Sequence, residues 1–284
     1  VSVRDFGTRL AEAFESRGHV CLGIDPHSFL LAGWELPDTA AGAREFGLRA
    51  VDAAVSVVGI VKPQVAFFER FGASGFAALE DVLRAARDGG LLVIADAKRG
   101  DVGTTVAAYG AAWLSAGSAL EADAMTVSAY QGVGSLSEVV ENARRGGKGL
   151  FVLGATSNPE GVELQTAIRD RGVSAGETVA AGIVREVCAL NSTSDSLGSM
   201  GVVLGATVSA ADYGIDLDAL TKTPILAPGF GEQGAVASDV ARIYGAAAAN
   251  VIVSIGRSVL RAGPGELSAA LARAADETAL AFRS

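Results

Sequence analysis

Eight short apolar stretches separated by helix-length intervals constrain the fold of this chain more than any other feature. They are HVCLGIDP (19–26), GIVKPQVAFFE (59–69), LLVIADAK (91–98) and DAMTVSAY (123–130), followed by GLFVLGATSN (149–158), GVVLGAT (201–207), PILAPGFG (224–231) and NVIVSIGRS (250–258). Each is rich in Val, Ile and Leu, too short for a helix, and closed by Gly, Pro, Asp or Ser. Near-continuous apolar runs of this length read as parallel strands buried on both faces.

The intervals carry helical spacing. FAALEDVLRAARDGG (76–90) repeats apolar residues at helical period and stops at glycines. TTVAAYGAAWLSAG (104–117), ASDVARIYGAAAA (237–249) and LSAALARAADETALAF (267–282) behave alike. Eight strand–helix alternations in 284 residues predict an α/β fold, a (β/α)8 TIM barrel, as one domain over 1–284. A doubly wound open sheet is the alternative. Two segments break the rhythm. Residues 27–45 read as a loop with a short helix, and LNSTSDSLGSMG (190–201) as a polar, flexible surface connection.

Composition narrows the function. The chain is 50% hydrophobic with only 6% aromatic residues, so its core must be built from small and branched aliphatics. No apolar run reaches the roughly 18 residues that span a bilayer, and VSVRDFGTRLAEAF lacks a signal-peptide core. No membrane association is expected. A net charge of −9 argues against a nucleic-acid partner, which needs clustered Lys and Arg, but leaves room for a local anion site. Cys21 and Cys188 are the only cysteines and His19 and His27 the only histidines. These numbers argue against a disulfide framework and a zinc site, and for a reducing cytoplasm.

In a barrel, chemistry collects where strands end. Asp25 ends the first run, Lys62 lies on the second, and Asp96 and Lys98 end the third, with Asp101 entering the next helix. Two of only four lysines thus fall at the predicted mouth. Residues two apart on a strand point to one side, roughly 7 Å apart, so Asp96 and Lys98 should share a face. A structural ion pair, with Asp101 starting a helix, is the plain reading. The chemical reading is a lysine kept protonated by carboxylates on both sides. Such a lysine is a proton donor or electrostatic anchor, not a Schiff-base nucleophile.

Glycine-rich APGFGEQGA (227–235) and SIGRS (254–258) follow the seventh and eighth runs. Backbone N–H groups freed by glycine, with the forked guanidinium of Arg257, suit a phosphate dianion. Those two loops bind phosphate in many barrels. Asp25 is either a helix cap or a carboxylate for sugar hydroxyls. Ser157 in TSNPEG could shape a turn. His27, Trp34, Trp113 and Tyr130 read as structural or packing residues.

Taken together, IADAKRGDVGTT, GIDP, VKPQ, TSNPEG, APGFGEQG and IGRS resemble, in order, the strand-end motifs of the orotidine 5′-monophosphate decarboxylase family. The likeness covers about residues 5 to 275, and the long segment before the sixth run resembles a longer bacterial branch. The resemblance implies conversion of orotidine 5′-monophosphate to uridine 5′-monophosphate in pyrimidine biosynthesis, without metal or cofactor. By the same resemblance Lys98 delivers a proton to C6 of the pyrimidine, Asp96 sits beside the departing carboxylate, and Lys62 completes a charge array and helps bind the ribose. Asp101 and Thr105 would reach into a neighbouring subunit's site, making a homodimer with shared sites. Asp25 would bind a ribose hydroxyl and Ser157 the pyrimidine. Gln233, Gly256 and Arg257 would hold the phosphate, with the loop from Pro228 closing over it. Two rivals remain open: a magnesium-dependent phosphosugar decarboxylase or aldolase sharing the acid–lysine–acid core, and a non-catalytic barrel that binds a phosphoribosyl ligand.

Overall fold

The structure is a computed structural model describing residues 3–283. Residues 1, 2 and 284 of the expected 1–284 domain lie outside the described residues. Eight parallel strands, each pairing with its sequence neighbours, close into a barrel in the order β1 to β8, with β8 returning to β1. They are β1 Val20–Ile24, β2 Ile60–Pro63, β3 Leu92–Arg99, β4 Ala124–Val127, β5 Gly149–Ala155, β6 Met200–Leu204, β7 Ile225–Ala227 and β8 Val251–Ile255. Each falls inside one of the eight apolar runs except for Arg99 and Met200, one residue beyond theirs. Seven of the eight are buried along their whole length or all but one residue, as strands covered on both faces must be.

The principal helices are α1 Phe6–Arg17, α2 Ala40–Val55, α3 Gly72–Asp88, α4 Gly103–Leu114, α5 Ser137–Gly146, α6 Val179–Leu190, α7 Val240–Tyr244 and α8 Leu267–Ala281. Side-chain caps start several of them. Asp5 accepts the Thr8 N–H, Thr39 that of Gly42, and Thr178 that of Ala181. Helix α1 precedes the first strand and closes the barrel floor. Its Phe6 and Leu10, both fully buried, join Cys21, Ile60, Ile94 and Phe151 in the barrel interior. Phe6 meets Phe151 edge-to-face at 5.9 Å.

Four expectations need correction. The 59–69 run is a strand only to Pro63, and Ala66–Glu69 is a helical turn. Pro63 ends the run because it cannot donate to a sheet ladder. Residues 237–249 do not form one helix. Two 3-10 segments, Ala237–Asp239 and Gly245–Asn250, flank α7, and the chain breaks at Gly245 with φ +51°. Between β6 and β7 the helical structure among the described residues is the 3-10 turn Leu217–Leu220, so the alternation is incomplete there. The 190–201 segment does run along the surface, with Ser192, Thr193, Asp195 and Ser196 exposed, but its two ends are pinned to the barrel floor rather than flexible. Buried Asn191 donates to the Met200 carbonyl at 2.7 Å, and Ser199 Oγ accepts the Gly7 N–H at 3.0 Å. Gly7 permits this approach, since a Cβ there would lie 2.0 Å from the Leu197 carbonyl oxygen.

Candidate active site

At the C-terminal end of the barrel, β2, β3 and β4 bring four polar side chains to one point. The carboxylate of Asp96, largely buried, accepts from Lys62 Nζ at 2.8 Å through Oδ2 and from Lys98 Nζ at 2.6 Å through Oδ1. The Thr126 hydroxyl donates to Oδ1 at 2.9 Å. Gln64, with its amide oriented to satisfy both ends, donates to Oδ2 at 2.9 Å and accepts from Lys98 Nζ at 3.2 Å. A carboxylate offers about four lone-pair sites, and all are taken.

Electrostatics follow from burial. Desolvation alone would raise the pKa of Asp96, but Lys62 and Lys98 outweigh it and hold the carboxyl well below its usual range. Burial pulls Lys62 down, yet Asp96 and then Asp25 overcome it, so its amine stays charged above the usual lysine range. The two ammonium groups differ in access. The Lys62 side chain is 8% exposed and that of Lys98 45%, so Lys98 is the more accessible of the two.

Lys98 and Asp96 do meet, but not by simple strand alternation. Ala95 pairs with Met125 and Arg99 with Val127, so Asp96, Ala97 and Lys98 bulge opposite the single residue Thr126. Lys98 itself has φ +48°, a left-handed conformation that costs a side-chain-bearing residue about 1–2 kcal/mol. Strain of this kind gathers at functional sites. A carboxylate on both sides of Lys98 is not what the chain provides. Asp101 accepts the Val102 N–H at 2.8 Å at the entry to α4 and makes no ion pair with Lys98 among the described residues. The two residues between Lys98 and Asp101, Arg99 and Gly100, turn the chain away. Thr105 is exposed on the first turns of α4.

A cavity of about 560 Å3 opens above this cluster. Lys62, Asp96, Lys98, Thr126 and Ser157 line it together with apolar Leu153 and Leu226. Tyr130, expected to pack, stands 80% exposed at its rim. It lies past the end of β4, where the chain has left the sheet and its neighbours. Trp34 and Trp113 are buried as expected. His27 packs at a tilt against Phe67, ring centroids 4.1 Å apart, in keeping with a packing role.

Beside the cavity lies a smaller recess lined by Asp25, Lys62, Pro228, Gln233, Gly256 and Arg257. Asp25 is not a helix cap, because the following helix Ser28–Gly33 has His27 at its cap and no side-chain bond there. Instead its Oδ1 is buried without a partner. A buried polar atom left unpaired needs a partner from water, an ion or a ligand. The loop after β7 turns through Gly229, Gly231 and Gly234 at φ +116°, +77° and +100°, values that side chains resist. Gln233 Oε1 accepts from Ser157 Oγ at 3.1 Å, linking this loop to the end of β5. No hydrogen bond or ion pair engages the Arg257 guanidinium among the described residues. Arg261, one helical turn on, pairs with Glu232 of the glycine loop at 2.9 Å.

Sequence reasoning passed over Thr126, Gln64 and the Arg261–Glu232 pair. Gln64 stood in the VKPQ motif, and Thr126 was the one polar residue of the strand Ala124–Val127. A polar side chain at an inward strand position was the available signal.

Comparison with known proteins agrees with this geometry. Residues 18–272 match the model of the "Orotidine 5'-phosphate decarboxylase / HUMPS family". The orotidine 5′-phosphate decarboxylase of Streptomyces coelicolor is 48% identical over 282 residues, covering 98% of this chain and 97% of its own. A crystal structure of a candidate orotidine 5′-phosphate decarboxylase from Streptomyces avermitilis superposes with a TM-score of 0.94 at 46% identity, covering 100% and 98% of the two chains. The Leishmania donovani OMP decarboxylase superposes with a TM-score of 0.77 at 28% identity, over 99% and 100%. With near full-length identity and the same closed barrel, the chain belongs to the orotidine 5′-phosphate decarboxylase / HUMPS family.

Proposed function

We propose that this chain decarboxylates orotidine 5′-monophosphate to uridine 5′-monophosphate in pyrimidine biosynthesis, with Lys98 as the proton donor. The observation that carries the reading is one buried carboxylate, Asp96, holding two ammonium groups at the cavity wall, of which Lys98 is by far the more exposed. Loss of CO2 breaks the bond from C6 to the carboxylate and leaves its electron pair in an in-plane orbital on C6. The ring π system cannot delocalise that pair. Stabilisation must come from fixed charge placed before the reaction begins. The Lys98 ammonium supplies positive charge where the pair develops and then gives its proton to C6, leaving a neutral amine that solvent reprotonates. Asp96 orients the amine and places negative charge near the departing carboxylate.

Arg257, the glycine loop and Gln233 hold the phosphate in the adjoining recess, and the unpaired Asp25 Oδ1 accepts a ribose hydroxyl. Ser157, bonded to Gln233, faces the pyrimidine from the cavity wall. Binding energy from the remote phosphate then supports ordering at the reacting carbon. The exposed Thr105 on α4 and the half-buried Asp101 on the loop into it support a shared site in a homodimer, each serving the partner subunit. A reducing cytoplasm suits the two free cysteines. Among the described residues no helix is long and apolar enough to cross a membrane.

Ultraviolet absorbance of orotidylate, followed with purified protein in the presence and absence of a chelator, tests the reading. Turnover to uridylate that survives the chelator is expected. Absence of turnover, or turnover abolished by chelation and restored by magnesium, would favour the phosphosugar chemistry found elsewhere in such barrels.

A further inference from the structure

We infer that Thr126 is a positioning residue for the reaction, setting the relative orientation of Asp96 and Lys98 through two hydrogen bonds of one hydroxyl. The inference rests on the decarboxylase reading above. In a regular parallel ladder each backbone N–H at this level would meet a carbonyl of the neighbouring strand. Here β3 carries Asp96, Ala97 and Lys98 where β4 has Thr126 alone. The Lys98 N–H therefore leaves the ladder, and it donates to Thr126 Oγ1 at 2.9 Å. The same oxygen donates its own proton to Asp96 Oδ1 at 2.9 Å. A hydroxyl can do both because it is donor and acceptor at once.

The geometry makes this hydroxyl hard to replace. Thr126 is 1% exposed, so water has little access to stand in for it. Its acceptor role supports the main chain of a lysine held at φ +48°. Its donor role fills the fourth acceptor position of Asp96, beside Lys98, Lys62 and Gln64. Without the hydroxyl, the carboxylate gains a free lone pair and a rotational degree of freedom, and the bulge loses its only side-chain tether on that N–H. The Lys98 amine, whose position is set by both, then samples a wider range about C6. Proton delivery depends steeply on such alignment. The phosphate recess, formed at the ends of β1, β2, β7 and β8 and the loops that follow, does not include Thr126.

The test compares Thr126→Val, nearly isosteric, with Thr126→Ser, which keeps the hydroxyl. Steady-state decarboxylation and uridylate affinity are measured for both, with thermal melting as a check on folding. For Thr126→Val, kcat is expected to fall about 10- to 100-fold, the scale of a misaligned group and less than the roughly 10²–10⁴-fold of losing a general acid outright. KM and the uridylate Kd are expected to move by no more than about threefold, phosphate contacts being untouched. Thr126→Ser recovers most of kcat. Should the Val variant fail to fold, Thr126→Ala takes its place in the pair. An unchanged kcat in Val overturns the inference, as does a Ser variant as slow as Val, or kcat and uridylate affinity falling together. If the parent protein itself does not turn over orotidylate, it is the functional reading that fails, not the positioning inference alone.

Discussion

Removing the Arg257 guanidinium separates ligand recognition from folding unusually well, because that group has no protein partner to leave behind. Among the described residues it makes no ion pair or hydrogen bond, and it lines the recess with Gly256, Gln233 and the glycine loop. A charge-assisted hydrogen bond contributes about 1.5–3 kcal/mol, and a forked guanidinium can give two to one phosphate. Arg257 is half-exposed, so solvent screening places the loss in Arg257→Ala near the lower end of that sum, about 3 kcal/mol. Since each 1.4 kcal/mol is tenfold, uridylate should bind ~100-fold more weakly. Uridine, lacking the phosphate, should change by less than about threefold. Stability should hardly move: a substitution away from any paired group stays within about 0.5 kcal/mol, or about 2 °C in Tm for a chain of this size. Calorimetric titration with both ligands, alongside thermal melting, reads all three quantities. Equal losses for uridylate and uridine would refute the phosphate role. A melting point that falls in step with affinity would show that the guanidinium supports the loop rather than the ligand.

Asp96→Asn leaves the Lys62 ammonium buried beside a neutral amide, a change that costs about 3–5 kcal/mol. Asp25 nearby moderates it, so a Tm lower by roughly 6–12 °C is expected in calorimetry; an unchanged Tm would contradict the paired-charge account. The pH dependence follows from the same pair. Because Asp96 is held below its usual range, its stabilisation is present above the unfolded pKa of about 3.9 and fades as pH falls further toward the lower folded value. Lys62, raised in the folded state, acts in the opposite sense: its contribution is full below about pH 10.4 and fades as pH rises above that. Melting curves of parent and Asp96→Asn should therefore converge at both extremes and differ most between them. Mixing inactive Lys98→Ala with inactive Asp101→Ala subunits should restore part of the activity through one intact hybrid site; no recovery in demonstrated hybrid dimers would exclude a shared site. Phe6→Ala, at the plugged floor, should cost about 3–5 kcal/mol by chemical denaturation while leaving KM near the parent value.

The mouth of the barrel was largely readable from the chain because its residues follow local rules. Asp25, Asp96, Lys98, Ser157 and Arg257 each sit at or just past the end of an apolar run, and parallel strands in a barrel deliver such ends to one face. The Asp96–Lys98 contact was legible as proximity, but its path was not. A two-residue spacing implies alternation, whereas the actual route is a bulge opposite Thr126, with Lys98 in a left-handed conformation. Bulges depend on how two strands register, and register between β3 and β4 is not written in either strand alone. Asp101 was read beside Lys98 for the same reason, as a neighbour in sequence. Gly100 and the entry to α4 take it elsewhere.

From the amino-acid order by itself came the eight-stranded barrel, its aliphatic core, the strand ends that carry charge and the glycine-rich turn after the seventh strand. All of these arise from periodicity, residue type and turn chemistry, which act over a few neighbouring residues. Tertiary structure alone decided that α1 plugs the floor and that the two ends of 190–201 are pinned to it. It also decided that, among the described residues, Asp96 binds four donors, Asp25 keeps an unpaired oxygen and the Arg257 guanidinium makes no hydrogen bond or ion pair. Those are relations between segments tens to hundreds of residues apart, and burial and hydrogen-bond completion fix them only once the barrel has closed.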